Sequence, residues 1–359
     1  MLMQVNELDS AFYRERLSGF LPDRMIDVHA HICLQAHRKS RGGERGTVSW
    51  VDRVASENTV EHLLDSYRLM FPGKQILPLV FGMTLAPGDE LEAGNDYVRR
   101  CAAQHGLPAL IFAIPSWGPQ EFEARVTAGG FLGAKVYLTW ASPELAPEEI
   151  GIFDFLPRHQ LEVMDRHGWI AMLHIPRAGR LRDSSNLEQI IEIERRYPNV
   201  KLVVAHVGRA YCPEDVGNAF EVLAETRRVY FDISANTNDA IFEQLIRAVG
   251  PRRILFGSDL PITRMRMRRT CEQGSYVNLV PPGLYGDVSG DRHMREAAEH
   301  EAGKLTFFMY EEIDAFRRAA ARVGLTSEDV HDVFFENASR ILSGLGVRVS
   351  LAAFSGASQ

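Results

Sequence analysis

The 359-residue chain has only four cysteines, Cys33, Cys101, Cys212 and Cys271, and none of them forms a CxxC pair. That number is too small for a disulfide framework in a chain of this size, so reduced cysteines in a cytoplasmic setting are expected. Long apolar runs are also missing. Nothing approaches the roughly 18 uncharged apolar residues of a membrane span. The first twenty residues carry Glu7, Asp9, Arg14, Glu15 and Arg16 where a signal peptide would need an apolar centre. There is no basic excess either: 40 Lys and Arg stand against 47 Asp and Glu, a formal charge of −7, which argues against a nucleic-acid surface. No low-complexity tract occurs, and no repeat longer than a strand-helix period.

What is present is an ordinary globular composition, 45% hydrophobic and 24% charged, with ample material for a large core. Short apolar runs alternate with amphipathic ones, as in repeated βα units. Eight runs read as strands buried on both faces: 25–30, 76–82, 109–115, 133–138, 169–174, 202–206, 229–233 and 254–257. Helical patterns lie between them at 60–70, 93–105, 119–127, 158–167, 187–197, 216–225 and 240–249. Strict alternation over eight strands favours a (β/α)₈ barrel over an open sheet. Residues 1–24 read as a helical extension, 25–345 as the barrel domain and 346–359 as a tail. Two long loops leave strand ends: 32–58, with Arg38, Lys39, Arg41, Gly42, Gly43 and Arg45, and 260–310, with Pro281, Pro282, Gly283, Gly286 and Gly290. The second is a lid or a dimer arm over the barrel mouth. Extra C-terminal helices are expected at 310–322 and from an N-cap at Thr326 or Ser327 to about Leu342.

Chemistry-bearing residues sit where strands end. Asp27-Val28-His29-Ala30-His31 closes the first run, and strand alternation puts His29 and His31 on one side. Two imidazoles so placed can take adjacent corners of one metal's coordination sphere. A polar strand end beside a loop would look the same. His174 ends the fifth run, His206 the sixth, and Asp259 follows the eighth. Active sites of barrels lie at that end, and four histidines with one aspartate there point to a metal site.

The ordered set Asp-Val-His-Ala-His at 27–31, Leu-His-Ile at 173–175, Ala-His-Val-Gly at 205–208 and Phe-Gly-Ser-Asp-Leu-Pro at 256–261 resembles the amidohydrolase superfamily. The resemblance is to its amidohydrolase-related branch of hydrolases and non-oxidative decarboxylases. It implies that His29, His31 and His174 bind a divalent metal, that Asp259 completes or borders the sphere, and that His206 transfers protons beside it. In binuclear relatives a lysine on the fourth strand bridges two metals. Lys135 has that place here, and it can equally be a lysine paired with a carboxylate or with a substrate charge.

A divalent cation lowers the pKa of its water from 15.7 to about 7, which no side chain of the set does unaided. Asp259 would accept the water's proton while His206 stabilises an oxyanion or shuttles a proton. Arg177, Arg209 and Arg264 follow the strand ends and suggest a small anionic, carboxylate-bearing substrate. Tyr211, Trp140 and Trp117 either line the pocket or simply pack, and Cys33 reads as a small buried hydrophobe. Zn²⁺ is the expected metal, with Mn²⁺, Fe²⁺ or Co²⁺ as alternatives. Three functions follow: hydrolysis of a lactone, ester or amide-like bond, decarboxylation of an unsaturated or aromatic acid, or ligand binding by a non-catalytic barrel. No nucleic-acid or membrane partner is expected, and a homodimer is compatible with the sequence.

Overall fold

The computed structural model describes residues 3–39, 53–83 and 85–349. The arginine and glycine run at 41–45 and the last ten residues of the expected tail lie outside the described residues. Eight parallel strands form the centre. They are β1 (Arg24–His31), β2 (Gln75–Phe81), β3 (Ile111–Phe112), β4 (Gly133–Val136), β5 (Ile170–Leu173), β6 (Lys201–Val204), β7 (Tyr230–Asp232) and β8 (Ile254–Leu255). β1 pairs with β2, and β3 to β8 run in sequential order.

Two seams close the ring. Between β2 and β3, Val80 N–H donates to Pro108 O and Leu110 N–H to Val80 O, both at 2.9 Å. Between β8 and β1, Val28 N–H donates to Phe256 O at 3.0 Å, and Ala30 forms a parallel bridge with Leu260. The expected (β/α)₈ barrel is therefore the fold. Strand residues are apolar on both sides because the ring fills with their inward side chains while helices cover the outside.

Helices Val60–Met70 and Arg158–His167 span the residues their periodicity predicts. Side-chain caps start several others. Asp183 accepts from Ser185 and Asn186 N–H, Asn238 from Ala240 and Ile241 N–H, and Thr326 forms a reciprocal box with Asp329. After β8 the final barrel helix, Phe308–Val323, packs on Asp239–Val249 through an edge-to-face contact of Phe242 and Phe316. No described helix is long and apolar enough to cross a membrane.

The segment after β8 is ordered into a small sheet: β9 (Arg268–Glu272), β10 (Ser275–Val280) and β11 (Met294–Glu296). β9 and β10 are antiparallel, and β10 and β11 parallel. Met265, Met267, Val280, Val288, Met294 and Phe308 give it a core of its own. Its root is pinned to helix Glu7–Phe12, where Arg266 donates to both oxygens of fully buried Asp9 (2.8 and 2.5 Å) and Thr306 Oγ1 donates to the same carboxylate (2.7 Å). Asp9→Ala would strand the Arg266 guanidinium, so it should lower the unfolding free energy by about 3–5 kcal/mol, measured by chemical denaturation.

One expectation from composition needs correction. Cys212 and Cys271 are bonded, with Cα atoms 5.8 Å apart, while Cys33 and Cys101 are free and buried. The two partners are 59 residues apart and meet only because β9 folds back on the loop after β6. The cysteine count therefore no longer argues for a reducing compartment. Protein unfolded without reductant should titrate as two free thiols. Four would remove the bridge.

Candidate active site

The C-terminal ends of β1, β6, β7 and β8 converge on one buried cluster. β1 delivers His29 and His31 by strand alternation. His29 Nδ1–H donates to Asp232 Oδ2 at 2.9 Å, because a carboxylate can only accept. Burial and the neighbouring Lys135 pull the His29 pKa down to about 3, against the pull of Asp232, so the ring is neutral and its Nε2 is a bare lone pair. That atom is buried with no hydrogen-bond partner among the described residues. His31 Nδ1–H donates to Gly82 O at 2.9 Å, which likewise turns its Nε2 inward.

Asp259 faces both rings. Its Oδ1 lies 3.4 Å from His29 Nε2 and 3.2 Å from His31 Nε2. Burial raises this carboxyl, and the pull of His206, His31 and His29 lowers it only as far as positive charge sits at that corner of the site. Imidazole lone pairs aimed at an ionised carboxylate oxygen repel unless a positive charge lies among them. Ligand atoms of His29, His206 and Asp259 lie within 4.8 Å of one another, a spacing that can hold a metal ion. The donor set and the orphaned Nε2 both fit a divalent cation.

His206 stands between the other rings, with centroids 4.8 Å from His29 and 5.4 Å from His174. Its Nδ1 lies 2.9 Å from Ser234 Oγ, whose own proton goes to Asp232 Oδ1. Burial lowers the His206 pKa, against the pull of Asp259 and Asp232, so the ring is neutral with a free Nε2. His206, Val207, Gly208 and Arg209 all have φ between 50° and 60°. A β-branched valine there is strained. The Asp232 carboxylate secures the turn by accepting His206 N–H at 2.9 Å. His174 is the outlying member. Its ring packs on Tyr137 (4.7 Å), and its buried Nδ1 has no acceptor among the described residues.

Asp232 was not among the residues picked out from sequence. It accepts from His29 Nδ1, His206 N, Ser234 N and Ser234 Oγ. Burial would raise it, but His29 first, then His206 and Ser234, bring it down to about 2. A charge inside the otherwise apolar run Tyr230-Phe231-Asp232-Ile233 was the available signal. Gly257 permits the close packing, since a Cβ there would meet His29 Cβ at 2.8 Å and Asp232 Cβ at 3.2 Å.

Lys135 is fully buried beside the cluster, its Nζ 5.3 Å from the Phe81 ring centroid. No described carboxylate oxygen lies within 4.0 Å of it. The expected carboxylate pairing is therefore absent among the described residues. Burial pulls its pKa down to about 8, against Asp259 and Asp232.

The arginines divide. Arg177 donates to the carbonyls of Ile150 and Glu149 and so holds a loop. Arg209 donates to Ile175 O and Pro176 O and lies close enough to His174 to lower its proton affinity further, after burial. Arg264 is 7% exposed, bonds Asn58 Oδ1 and leaves its Nε without a described partner; burial lowers its pKa to about 10. Trp117 belongs to the core under Arg125, and Trp140 Nε1–H donates to Leu85 O. Cys33 is buried, its thiol pushed up to about 11 by burial. Tyr211 lines the mouth beside Arg269 and Tyr276 of the small sheet, two residues that sequence reasoning missed.

A family model described as Amidohydrolase matches residues 26–343. No curated protein matches the chain. Among solved structures, it is similar to a candidate 2-pyrone-4,6-dicarboxylic acid hydrolase from Pseudomonas putida (15% identity, TM-score 0.54, covering 92% of this chain and 100% of that one). It is also similar to 4-oxalomesaconate hydratase from Rhodopseudomonas palustris (16%, 0.51, 90% and 96%). A third is a dihydroxybenzoic acid decarboxylase from Polaromonas sp. JS666, solved with manganese and 2-nitroresorcinol (13%, 0.53, 90% and 97%). With the family match running from the third residue of β1 to the last C-terminal helix, the chain belongs to the amidohydrolase family of metal-dependent enzymes.

Proposed function

We propose that the enzyme is a hydrolase of a small carboxylate-bearing molecule, cleaving a lactone, ester or amide-like bond with a metal-activated water. The observation that carries this reading is the pair of inward imidazole lone pairs facing ionised Asp259. On the family resemblance His29, His31, His174 and Asp259 would hold one divalent cation, Zn²⁺ on the chemistry of three imidazoles and a carboxylate, although the spacing groups His206 rather than His174 with His29 and Asp259. When bound, such an ion supplies a Lewis acid and a water of lowered pKa.

The chain's own residues do the rest. Asp259, kept ionised, orients the incoming water. Proton acceptance is assigned to His206, whose Nδ1 is backed by the Ser234–Asp232 chain, with Asp259 as the alternative that the sequence suggests. The Ser234–Asp232 chain behind Nδ1 then stabilises the imidazolium, and His206 returns the proton to the leaving group. Decarboxylation is the second reading, supported by the fold shared with the manganese-containing decarboxylase. It uses the same groups, with His206 delivering a proton to carbon. The binding-only barrel finds no support, since none of the expected chemistry-bearing residues is missing.

Metal analysis with single variants tests the assignment. His29→Ala and His174→Ala should lose the ion and turnover together. His206→Asn should keep the ion and lose on the order of 10²–10⁴ in kcat. If His206→Asn sheds an ion while His174→Ala keeps it, the two histidines exchange roles. Loss of one of two ions would make Lys135 a bridge. Solvent ¹⁸O in the product marks the hydrolase, and CO₂ release marks the decarboxylase.

A further inference from the structure

The small sheet after β8 carries a cation to the barrel mouth without a counter-charge. Arg269 on β9 lies flat among three rings, 4.5 Å from the Tyr211 centroid, 4.4 Å from Tyr276 and 4.6 Å from Phe308. Its Nε–H donates to Asn278 Oδ1 and its Nη1–H to Ala235 O, both neutral acceptors. Arg180 stacks on the same two tyrosines, at 5.2 and 5.1 Å, but ends on Asp215 at 2.6 Å. One guanidinium in this stack is neutralised and the other is not.

Arg209 is the second uncompensated cation, donating to the carbonyls of Ile175 and Pro176. Among the described residues no carboxylate oxygen lies within 4.0 Å of Arg209 or Arg269. Both act on one group: burial raises the Tyr211 hydroxyl to about 12, and Arg269 and Arg209 pull against it. Both also adjoin the catalytic cluster: Arg269 donates to the carbonyl of Ala235, the residue after Ser234, and Arg209 to the carbonyl of Ile175, the residue after His174. Counting Lys135, buried beside the cluster, the cations outnumber Asp232 and Asp259 before any metal is added. Fixed guanidiniums without a counter-ion are a standing cost to the fold unless a ligand supplies negative charge. Their planar forks suit carboxylates.

We propose that Arg269 and Arg209 form a two-point anion subsite, and that the substrate is a flat small molecule bearing two carboxylates. Resting on the hydrolase reading, this adds the substrate class and the residue that selects it. Arg269 reads the second carboxylate, and the Cys212–Cys271 bridge ties its strand to the loop that carries Arg209 and Tyr211. The segment after β8 thereby serves as a wall of the active site.

Calorimetric titration of the metal-loaded protein with isophthalate and with benzoate tests this. Isophthalate should bind at least about tenfold more tightly. Arg269→Gln should erase that preference and leave benzoate within about threefold, while Arg269→Lys, which keeps the charge but not the fork, retains part of it. If Arg269→Gln does not fold, as judged by circular dichroism, Arg269→Lys and Arg209→Gln carry the same comparison. Equal affinities, no binding of either acid, or an intact preference in the folded variants overturns the inference. A preference that survives in protein showing neither bound metal nor turnover leaves the subsite standing and sinks the hydrolase reading instead.

Discussion

The site depends on the Asp232 carboxylate. It lies fully buried at the end of β7 and accepts four hydrogen bonds, two of them from other parts of the ring: the His29 ring on β1 and the His206 amide after β6. The first fixes a tautomer, the second holds a strained left-handed turn, and the Ser234 link connects both. A charge buried this deeply persists only with such partners. One ionised oxygen pair therefore orients two inward imidazoles and prevents the turn at Val207 from relaxing. Gly257 is part of the same constraint, because any larger residue would separate His29 from Asp232.

Much of this was legible in the sequence, for local reasons. Strand alternation alone put His29 and His31 on one face, and the 3.6-residue period placed helices such as Val60–Met70 to the residue. Thr326 was readable as a cap because capping is a contact three residues long. Asp232 was passed over because it lies inside an apolar run rather than after one. Its signal was local too, but it was read as strand filling. Arg269, Tyr276 and the Cys212–Cys271 bond are different. They depend on how a 50-residue excursion packs back over the mouth, and neither periodicity nor spacing encodes that. Arg177 shows the reverse error: a plausible place after a strand end, with a side chain spent on backbone carbonyls.

The acids around the floor show how burial sorts charge. Asp27 is fully buried, and burial outweighs the bonds from Tyr67, His29 N–H and Ser258 N–H, raising it to about 6. Glu312 is buried behind Ala235 and raised well above its ordinary value, with only the Ala235 amide in opposition. Asp232 and Asp259, at similar depth, go the other way because histidines face them. Depth alone does not decide which carboxylates are charged: three donors leave Asp27 raised, whereas Asp232 and Asp259 face imidazoles. The negative charge of the floor is thereby concentrated at Asp232 and Asp259, where it orients imidazoles and attracts a cation.

The mouth obeys the opposite rule. Arg209 and Arg269 donate to neutral acceptors and are not matched in charge, while Arg180, stacked on two tyrosines with Arg269, ends on the Asp215 carboxylate. A structural arginine in a folded core is ordinarily of the second kind, because an unpaired charge costs more than an unpaired dipole. An axis can be drawn from the carboxylates of Asp232 and Asp259, past the imidazoles, to the guanidiniums of Arg209 and Arg269. A substrate carrying anionic groups at one end and a polarisable carbonyl at the other would be oriented along that axis before any bond is broken, so the field of the folded chain does part of the positioning that catalysis requires.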